Sequence, residues 1–168
     1  RLLAMAPPAD FDSLLGVRTV GPEQVDGYVQ FDSLGLTTAD LSPRPVQFFG
    51  RAITVRPVTA TILARFSPQL SGPYEMPAAG FHKYGSGRAG FLSFDLGTSV
   101  VITRQGRPPR NVHAQPVDRD GDGVYKTTDL FFNTFDYSNR AIPQADVQQL
   151  LLVRMVRDIL LSDYPLPR

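Results

Sequence analysis

One twelve-residue stretch combines residue types at a spacing that could bind a metal ion. Between positions 118 and 129, carboxylates occupy the first, third, fifth and twelfth places and Gly123 occupies the sixth. This is the ligand spacing of an EF-hand calcium loop, in which oxygen ligands surround Ca²⁺. In this interpretation Val124 offers its backbone carbonyl and Lys126 acts only through a water. The predicted Ca²⁺ ligands are Asp118, Asp120, Asp122, Val124, Lys126 and Asp129.

The same stretch also has an interpretation without metal. Asp and Gly form tight turns, and the Asp-Gly pairs at 120–121 and 122–123 suit a solvated turn. However, four carboxylates in twelve residues repel one another, and Arg119 and Lys126 offset only part of that charge. The sequence therefore favours Ca²⁺ as the cofactor of this loop.

Residues 118–130 resemble the calcium loop of type I dockerin modules, with the run Asp-x-Asp-Gly-Asp-Gly-x-x-x-x-Thr-Asp-Leu. Dockerins are variant EF-hand modules of secreted bacterial proteins, and they use two such loops to bind a cohesin. This sequence has a single loop, and Lys126 stands where the family usually has a polar ligand. The resemblance implies a calcium site and a secreted or cell-surface location, but not cohesin binding.

The remaining candidates for chemistry are weaker. His82 and His113 are the two histidines, and no G-x-S-x-G motif accompanies them, so surface roles are expected. His113, five residues before the acidic loop, is also a candidate to support that loop indirectly. Residues 85–90 match G-x-G-x-x-G, but strand-like residues follow where a dinucleotide site needs a helix. A flexible loop is expected there.

Three arginines recur at every third position, namely Arg104, Arg107 and Arg110. An extended chain would place their guanidinium groups along one side, where they could bind an anionic ligand. A solvated turn is the alternative, and it is the favoured one.

Composition limits the class of protein. The 168 residues carry a net charge of +1, so no excess of charge points to nucleic acid. All but two of the 17 basic residues are arginine, and all but two of the 16 acidic residues are aspartate. Because Lys and Glu usually cover helix surfaces, their scarcity together with 14 Gly and 15 Pro predicts little helix. The absence of cysteine excludes disulfides.

The pattern along the chain predicts one mainly β domain, an antiparallel sandwich or irregular sheet, with one C-terminal helix. Residues 1–10 are expected to be extended, and residues 67–90 to form loops. Strands are expected at 46–56, 58–66, 91–96 and 99–103, where β-branched and aromatic residues are frequent. The helix is expected at about 143–162. Its apolar residues cover more than half of its circumference, so it either crosses a sheet or contacts a partner.

These observations favour a structural or adhesive protein, exported and stabilised by calcium, in a cell-surface or filamentous assembly. Its partners would be another copy of itself or another surface protein, contacted through the extended N-terminus and the C-terminal helix. Two alternatives remain open. One is a secreted hydrolase fragment, with carboxylates such as Asp95 and Asp136. The other is a carbohydrate-binding module, indicated by tyrosines such as Tyr74, Tyr84 and Tyr125.

Overall fold

A computed structural model describes residues 1–32, 37–38, 40–105 and 142–160 of the protein. The strands of this part of the chain are β1 (Leu2–Met5), β2 (Val17–Thr19), β3 (Gln24–Phe31), β4 (Val46–Ala52), β5 (Val55–Pro57), β6 (Thr61–Ser67), β7 (Met76–Tyr84) and β8 (Gly87–Leu92). The helices are α1 (Asp12–Leu15), preceded by a 3-10 turn at Ala9–Phe11, α2 (Leu96–Gln105) and α3 (Ile142–Met155), which continues as a π-helical turn at Val156–Leu160.

Most strands belong to one sheet of six, in the order β1-β8-β7-β6-β3-β4. Its strands pair antiparallel except β1, which runs parallel to β8. Strands β2 and β5 form a separate antiparallel pair. The predicted fold class is therefore confirmed, because the chain is mainly β and has a helix near its C-terminus. None of the helices in the described ranges is long and apolar enough to cross a membrane.

The larger core lies between the sheet and the helices α2 and α3. Phe48 packs edge-on against Phe66 with ring centroids 5.7 Å apart, and tilted against Phe94 at 5.0 Å. Leu151 and Met155 of α3 are buried in the same cluster. Burying each of these side chains contributes about 1.5–3 kcal/mol. This core fixes one face of β3, β4 and β6 against the helices.

The opposite face of the sheet is covered only in part. A second cluster joins Leu15 of α1, Val17 of β2 and Val55 of β5 to Ala89 and Phe91 of β8. Strands β3 and β4 contribute no buried residue to this cluster. Among the described elements, α1, β2 and β5 therefore cover the β8 side of this face, and Tyr28, Gln47 and Phe49 on β3 and β4 are half-buried.

The expected loop at 67–90 is wrong, because β7 is a strand in the middle of the sheet. Its small residues are required by close packing. A Cβ added to Gly80 would lie 2.7 Å from the Thr61 carbonyl oxygen and 2.8 Å from the Phe91 ring. Glycine in a strand often marks such an approach of neighbouring groups. The glycine that suggested a loop in the sequence is therefore present because the Phe91 ring packs directly onto β7.

The expected strand at 99–103 is also wrong, because these residues lie in α2. Ser99, Val100 and Thr103 are the buried positions, which is the spacing of one helix face. The hydroxyl of Thr103 donates to the Ser99 carbonyl oxygen at 2.7 Å, which satisfies a polar group on this buried face. Local β propensity is overridden here by packing against β4.

The outer edge of β4 is hydrogen-bonded to side chains of the two long helices. The Gln47 N–H donates to Gln144 Oε1, and Gln148 Nε2 donates to the Gln47 carbonyl at 2.8 Å. Two residues along, the Phe49 N–H donates to Ser99 Oγ at 3.0 Å. Unpaired backbone N–H and C=O groups at a sheet edge can hydrogen-bond to another strand. Here side chains of α2 and α3 form hydrogen bonds with these backbone groups instead.

Gln148 allows a test of this edge. It is 2% exposed, and its Oε1 has no hydrogen-bond partner in the described part of the chain. Gln148→Glu should lower the free energy of unfolding by about 3 kcal/mol near neutral pH, because a buried carboxylate would face the Gln47 carbonyl. Gln148→Met should cost only about 1–2 kcal/mol, since it removes the unpaired oxygen together with the donor.

The pH dependence of the two variants' stability separates the effect of a buried charge from the effect of a changed side-chain shape. Burial raises the pKa of an introduced carboxyl, so the folded state keeps the proton to higher pH than the unfolded state does. The deficit of Gln148→Glu should therefore shrink from about pH 7 to about pH 4.5, while that of Gln148→Met stays constant. Urea unfolding at both pH values measures this. Equal deficits for the two variants at both values would contradict the edge assignment.

Candidate functional site

The acidic stretch that sequence analysis assigned to Ca²⁺ lies outside the described residues. This applies to each predicted ligand, and also to Arg107, Arg110, His113, Tyr125 and Asp136. The calcium site therefore stays a prediction from sequence. Within the described ranges, no group of three or more His, Asp or Glu side chains is placed to hold a metal ion.

Arg104, the described member of the arginine series, joins two helices. Its Nη2 forms an ion pair with Asp146 and donates to Gln149 Oε1 at 2.8 Å. Both partners lie on α3, so the guanidinium links the C-terminal end of α2 to the start of α3. This contact gives Arg104 a structural role, and the predicted anionic ligand is not needed to explain it.

Asp95, the candidate acid of the hydrolase alternative, begins α2. Its Oδ1 accepts the Thr98 N–H at 3.0 Å, and its Oδ2 accepts the Thr98 hydroxyl at 2.6 Å. These hydrogen bonds hold the pKa of the Asp95 carboxyl below its ordinary value. A general acid needs the opposite shift. Asp95 therefore acts as a helix cap, and the sequence signal for it was an aspartate three residues before a threonine.

His82 lies in a small cluster around Gly16. Its Nδ1 is 3.1 Å from Thr59 Oγ1, and a Cβ on Gly16 would lie 2.7 Å from the imidazole ring. The Gly16 carbonyl accepts hydrogen bonds from three successive N–H groups, those of Val58, Thr59 and Ala60, at 2.9–3.0 Å. These amides are thus already used, and they cannot stabilise an oxyanion next to the Thr59 hydroxyl. The cluster fixes α1 to the loop after β5 and is not a catalytic pair.

The G-x-G-x-x-G match is a hairpin. Tyr84, the last residue of β7, pairs with Gly87, the first residue of β8, and Gly85 has a φ of 56° in the turn between them. A dinucleotide site needs a helix to begin at this point. The expectation that these residues are a loop is correct for the turn, and their second half is strand.

The face of β3 and β4 opposite the helix-side core carries aromatic and polar side chains together. Val29 and Phe48 point into the helix-side core, so alternation directs Tyr28, Gln47 and Phe49 to the opposite face. The pairing places Tyr28 directly opposite Gln47. It also places Gln30 opposite Arg65 on β6. Neighbouring strands thereby assemble one surface from residues that are distant in sequence.

Tyr74 extends this surface from the loop before β7. Its hydroxyl donates to the Leu70 carbonyl at 2.7 Å. Burial raises the pKa of the Tyr74 phenol, and the neighbouring Tyr28 raises it further. Arg65 holds the same loop, because its Nη1 donates to the Glu75 carbonyl at 3.0 Å. We call this surface the outer-face patch, and it consists of Tyr28, Gln30, Gln47, Phe49, Arg65 and Tyr74.

A shallow cleft borders the outer-face patch where β3 ends. Its volume is about 180 Å³, and its lining residues are Gln30, Phe31, Asp32, Ile62, Ala64 and Arg65. Sites that enclose a drug-sized ligand occupy about 300–1,000 Å³. The cleft is too small to enclose such a molecule, so a ligand of this region would lie mainly on the open surface.

Of the tyrosines named from sequence, Tyr74 and Tyr84 are described, and Tyr74 belongs to the outer-face patch. Tyr84 stands at the tip of the hairpin formed by β7 and β8, next to Arg1 and Leu2. Tyr28 and Phe49 were not predicted as site residues. An alternation of apolar and polar residues at 28–31 and 46–49 could have assigned them to one face, but only the strand pairing shows that they are neighbours.

No protein-family model matches the sequence, and no curated protein does. Part of the fold is similar to solved structures. A GH42 β-galactosidase from G. stearothermophilus is 15% identical, with a TM-score of 0.37 over 50% of this chain and 11% of the enzyme. For a β-galactosidase from a Rahnella species the identity is 17% and the TM-score 0.39, over 48% of this chain and 12% of the enzyme. The carbohydrate deacetylase Agd3 is 15% identical, with a TM-score of 0.44 over 61% of this chain and 17% of that protein.

This comparison corrects the function favoured by sequence analysis. The structures that resemble the chain are carbohydrate-active enzymes, not structural or adhesive subunits, so that prediction is wrong. Leu2–Met5, which was expected to be part of an extended contact segment, pairs as β1 within the chain's own sheet. The chain spans less than a fifth of the length of each enzyme, and at these TM-scores the likeness transfers no activity.

The capping role of Asp95 predicts a specific pattern of stability. Asp95→Ala should lower the free energy of unfolding by about 1 kcal/mol near neutral pH, whereas Asp95→Asn should cost less because asparagine is also a good cap. Since the folded-state pKa is lowered, the wild-type advantage is present above about pH 4 and is lost as the pH falls through that pKa. Chemical unfolding between about pH 7 and pH 2.5 measures the differences.

Asp95→Asn is the control, because it removes the titrating group and keeps the cap. Its stability difference from wild type should vanish in acid, while Asp95→Ala should remain less stable than Asp95→Asn. If the two variants behaved alike at every pH, Asp95 would not be acting as a cap.

Proposed function

We propose that this chain binds carbohydrate on the outer-face patch and does so without catalysis. The observation that supports this proposal is the grouping of the half-buried Tyr28, Phe49 and Tyr74 with amide and guanidinium side chains on one face of the sheet. The proposal depends on the chemistry and spacing of these residues and not on the enzymes of similar fold.

The aromatic residues suit the apolar faces of sugar rings. Aromatic rings have an electron-rich face, and a tyrosine adds a polar end to an apolar body. The C–H groups of a pyranose can pack on such a face while its hydroxyls remain in water. Tyr28 is paired with Gln47, so Phe49, two residues further along β4, is its diagonal neighbour at about 7–8 Å, and Tyr74 lies beside Tyr28. Such a grouping suits neighbouring sugar rings of one glycan.

The polar residues suit sugar hydroxyls, which both donate and accept hydrogen bonds. Gln30 and Gln47 each offer a carbonyl acceptor and an amide donor. Arg65 offers five donors in a planar fork, and the hydrogen bond from its Nη1 to Glu75 orients that fork. Because the strands fix the backbone, little backbone entropy is lost when these groups bind a ligand, and the remaining entropic cost is that of ordering the side chains.

Hydrolysis, the alternative from sequence, receives no support from the described residues. It requires a carboxyl with a raised pKa near a second carboxylate. The pKa of Asp95 is lowered instead, because its oxygens accept the hydrogen bonds that cap α2. The shallow form of the surface also favours binding of an extended glycan over enclosure of a scissile bond.

Calcium is part of the same proposal, on the ligand spacing at 118–129. With Lys126 in the ninth place and Asp129 rather than Glu in the twelfth, the loop should bind weakly and serve as a stabilising clip. Sites with dissociation constants of about 10⁻⁴–10⁻³ M work outside the cell, where Ca²⁺ is abundant. We therefore also propose a secreted or cell-surface location.

The glycan proposal predicts a selective loss of affinity. Tyr28→Ala should weaken binding to a responsive polysaccharide about fivefold, from a lost contribution of about 1 kcal/mol. Tyr28→Phe should keep most of the affinity, because the aromatic ring remains. Affinity electrophoresis against a panel of soluble polysaccharides, followed by calorimetry, provides the measurement. Tyr84→Ala is the matched control, since Tyr84 lies on the hairpin tip outside the patch.

Two results would refute carbohydrate binding at this surface. One is a folded wild-type chain that binds no member of a panel covering neutral, acidic and amino-sugar polymers. The other is an equal loss of affinity in Tyr28→Ala and Tyr84→Ala, which would move binding away from the outer-face patch.

The calcium proposal predicts that ligand binding raises the melting temperature. At a Ca²⁺ concentration of about 100 times the dissociation constant the stabilisation is about 2.7 kcal/mol. For a chain of this size that corresponds to a rise of about 5–10 °C. Asp120→Ala should abolish the rise, and Asp10→Ala, which removes an exposed carboxylate elsewhere, should leave it intact. Identical melting curves of the wild type in Ca²⁺ and in chelator would exclude the site.

A further inference from the structure

The shallow cleft where β3 ends is lined by two side chains of opposite charge. Arg65 on β6 and Asp32, just after β3, both line it, and both are exposed. A guanidinium only donates hydrogen bonds, whereas an ionised carboxylate only accepts them. Gln30, which stands directly opposite Arg65 and two residues before Asp32, can do either. The cleft therefore offers a charged donor on β6 and a charged acceptor at the end of β3.

Hydrogen bonds hold both charged residues in place. The Asp32 N–H donates to the Leu63 carbonyl at 2.9 Å, and the Asp32 carbonyl accepts the Thr38 hydroxyl at 2.6 Å. The bond from Arg65 Nη1 to the Glu75 carbonyl uses one of the five donors of that guanidinium. A carboxylate accepts at about four lone-pair sites, so Asp32 can bind a ligand in addition to its contacts within the chain.

Apolar residues complete the lining of the cleft. Ile62 is half-buried and packs against the cluster that α1 and β8 share, while Phe31 and Ala64 are paired across β3 and β6. A ligand group that fills this cleft must therefore contact apolar surface as well as a donor and an acceptor. With a volume of about 180 Å³, the cleft is of a size for one small substituent of a larger ligand.

The two opposite charges determine which substituent of a sugar fits. Arg65 would attract the carboxylate of an acidic sugar but Asp32 would repel it, and the ammonium of an amino sugar meets the reverse. A hydroxyl is neutral but brings no apolar group to the lining. An acetamido group is neutral, carries a methyl group, donates through its N–H and accepts through its C=O. In a trans amide these two groups point in opposite directions, which suits an acceptor and a donor on different strands.

We infer that this cleft binds the acetamido group of an N-acetylated sugar whose ring packs on Tyr28. The inference rests on the proposed carbohydrate binding at the outer-face patch and names the class of sugar. Arg65 donates to the amide carbonyl, Asp32 accepts the amide N–H, and Ile62 contacts the methyl group. Tyr28 and Gln30 lie two residues apart on the same face of β3, about 7 Å along the strand. A substituent of a ring on Tyr28 therefore extends toward the cleft.

Calorimetry of the 168-residue chain with three β-1,4-linked tetramers, of N-acetylglucosamine, glucosamine and glucose, tests the inference. The N-acetylglucosamine tetramer should bind at least about tenfold more tightly than the other two near pH 7, because it alone forms the hydrogen bonds to both charged groups. Asp32→Ala should reduce this preference to less than about threefold, since it removes the acceptor but keeps the backbone hydrogen bonds of residue 32. Asp10→Ala, which removes an exposed carboxylate elsewhere, should keep the preference.

The ratio of affinities separates this inference from the proposed function, because partial unfolding of a variant lowers both affinities equally. If the glucose and N-acetylglucosamine tetramers bind equally and Tyr28→Ala weakens both, carbohydrate binding at the patch stands and the acetamido inference is overturned. An unchanged preference in Asp32→Ala overturns it as well. So does a polysaccharide without acetamido groups that binds when the N-acetylglucosamine tetramer does not. If no tetramer and no polysaccharide binds, the proposed function and the inference fail together.

Discussion

The hydrogen bonds between the β4 edge and the two long helices determine how the rest of the molecule is arranged. Gln144 and Gln148 bond to both backbone groups of Gln47, and Ser99 bonds to Phe49. Residues 47 and 148 are about one hundred positions apart, so these contacts close the chain onto its sheet. They require α2 and α3 to lie on the same face, at the same end of the sheet. Neither of these two helices lies on the opposite face of β3 and β4.

That asymmetry produces the candidate site. On the helix side the sheet is closed by phenylalanines, and on the other side α1, β2 and β5 cover only the region near β8. On this other side β3 and β4 carry the half-buried Tyr28 and Phe49 beside two glutamines. Binding residues placed on strands keep their spacing without a ligand. The proposed function thus rests on residues that the strand pairing brings together on one face.

Sequence predicted the elements best where local pattern and tertiary packing agree. The β-branched and aromatic segments around β4 and β6 are strands, and the apolar segment near the C-terminus is a helix. Prediction failed for β7, where Gly80 is set by a ring on the neighbouring strand, and for α2, where packing against β4 together with the Asp95 cap outweighs a run of β-branched residues. Both failures come from contacts between residues distant along the chain or from a single cap.

The site was less predictable than the fold for the same reason. Tyr74 was recognised as a tyrosine of interest, but its neighbour Tyr28 was not, because their proximity depends on strand register and on the loop that Arg65 holds. The acidic loop is the converse case. All of its predicted Ca²⁺ ligands lie within twelve consecutive residues, so the sequence alone is enough to name each ligand.

The Gly16 carbonyl, which receives three consecutive amides, has a consequence for how the molecule moves. Successive backbone N–H groups that converge on one point form a concave site for an anion. In this chain a peptide oxygen from the end of α1 occupies that position and acts as an internal ligand for residues 58–60. Neither partner can leave without exposing the other's polar groups. α1 and the loop after β5 should therefore open together, as one cooperative unit.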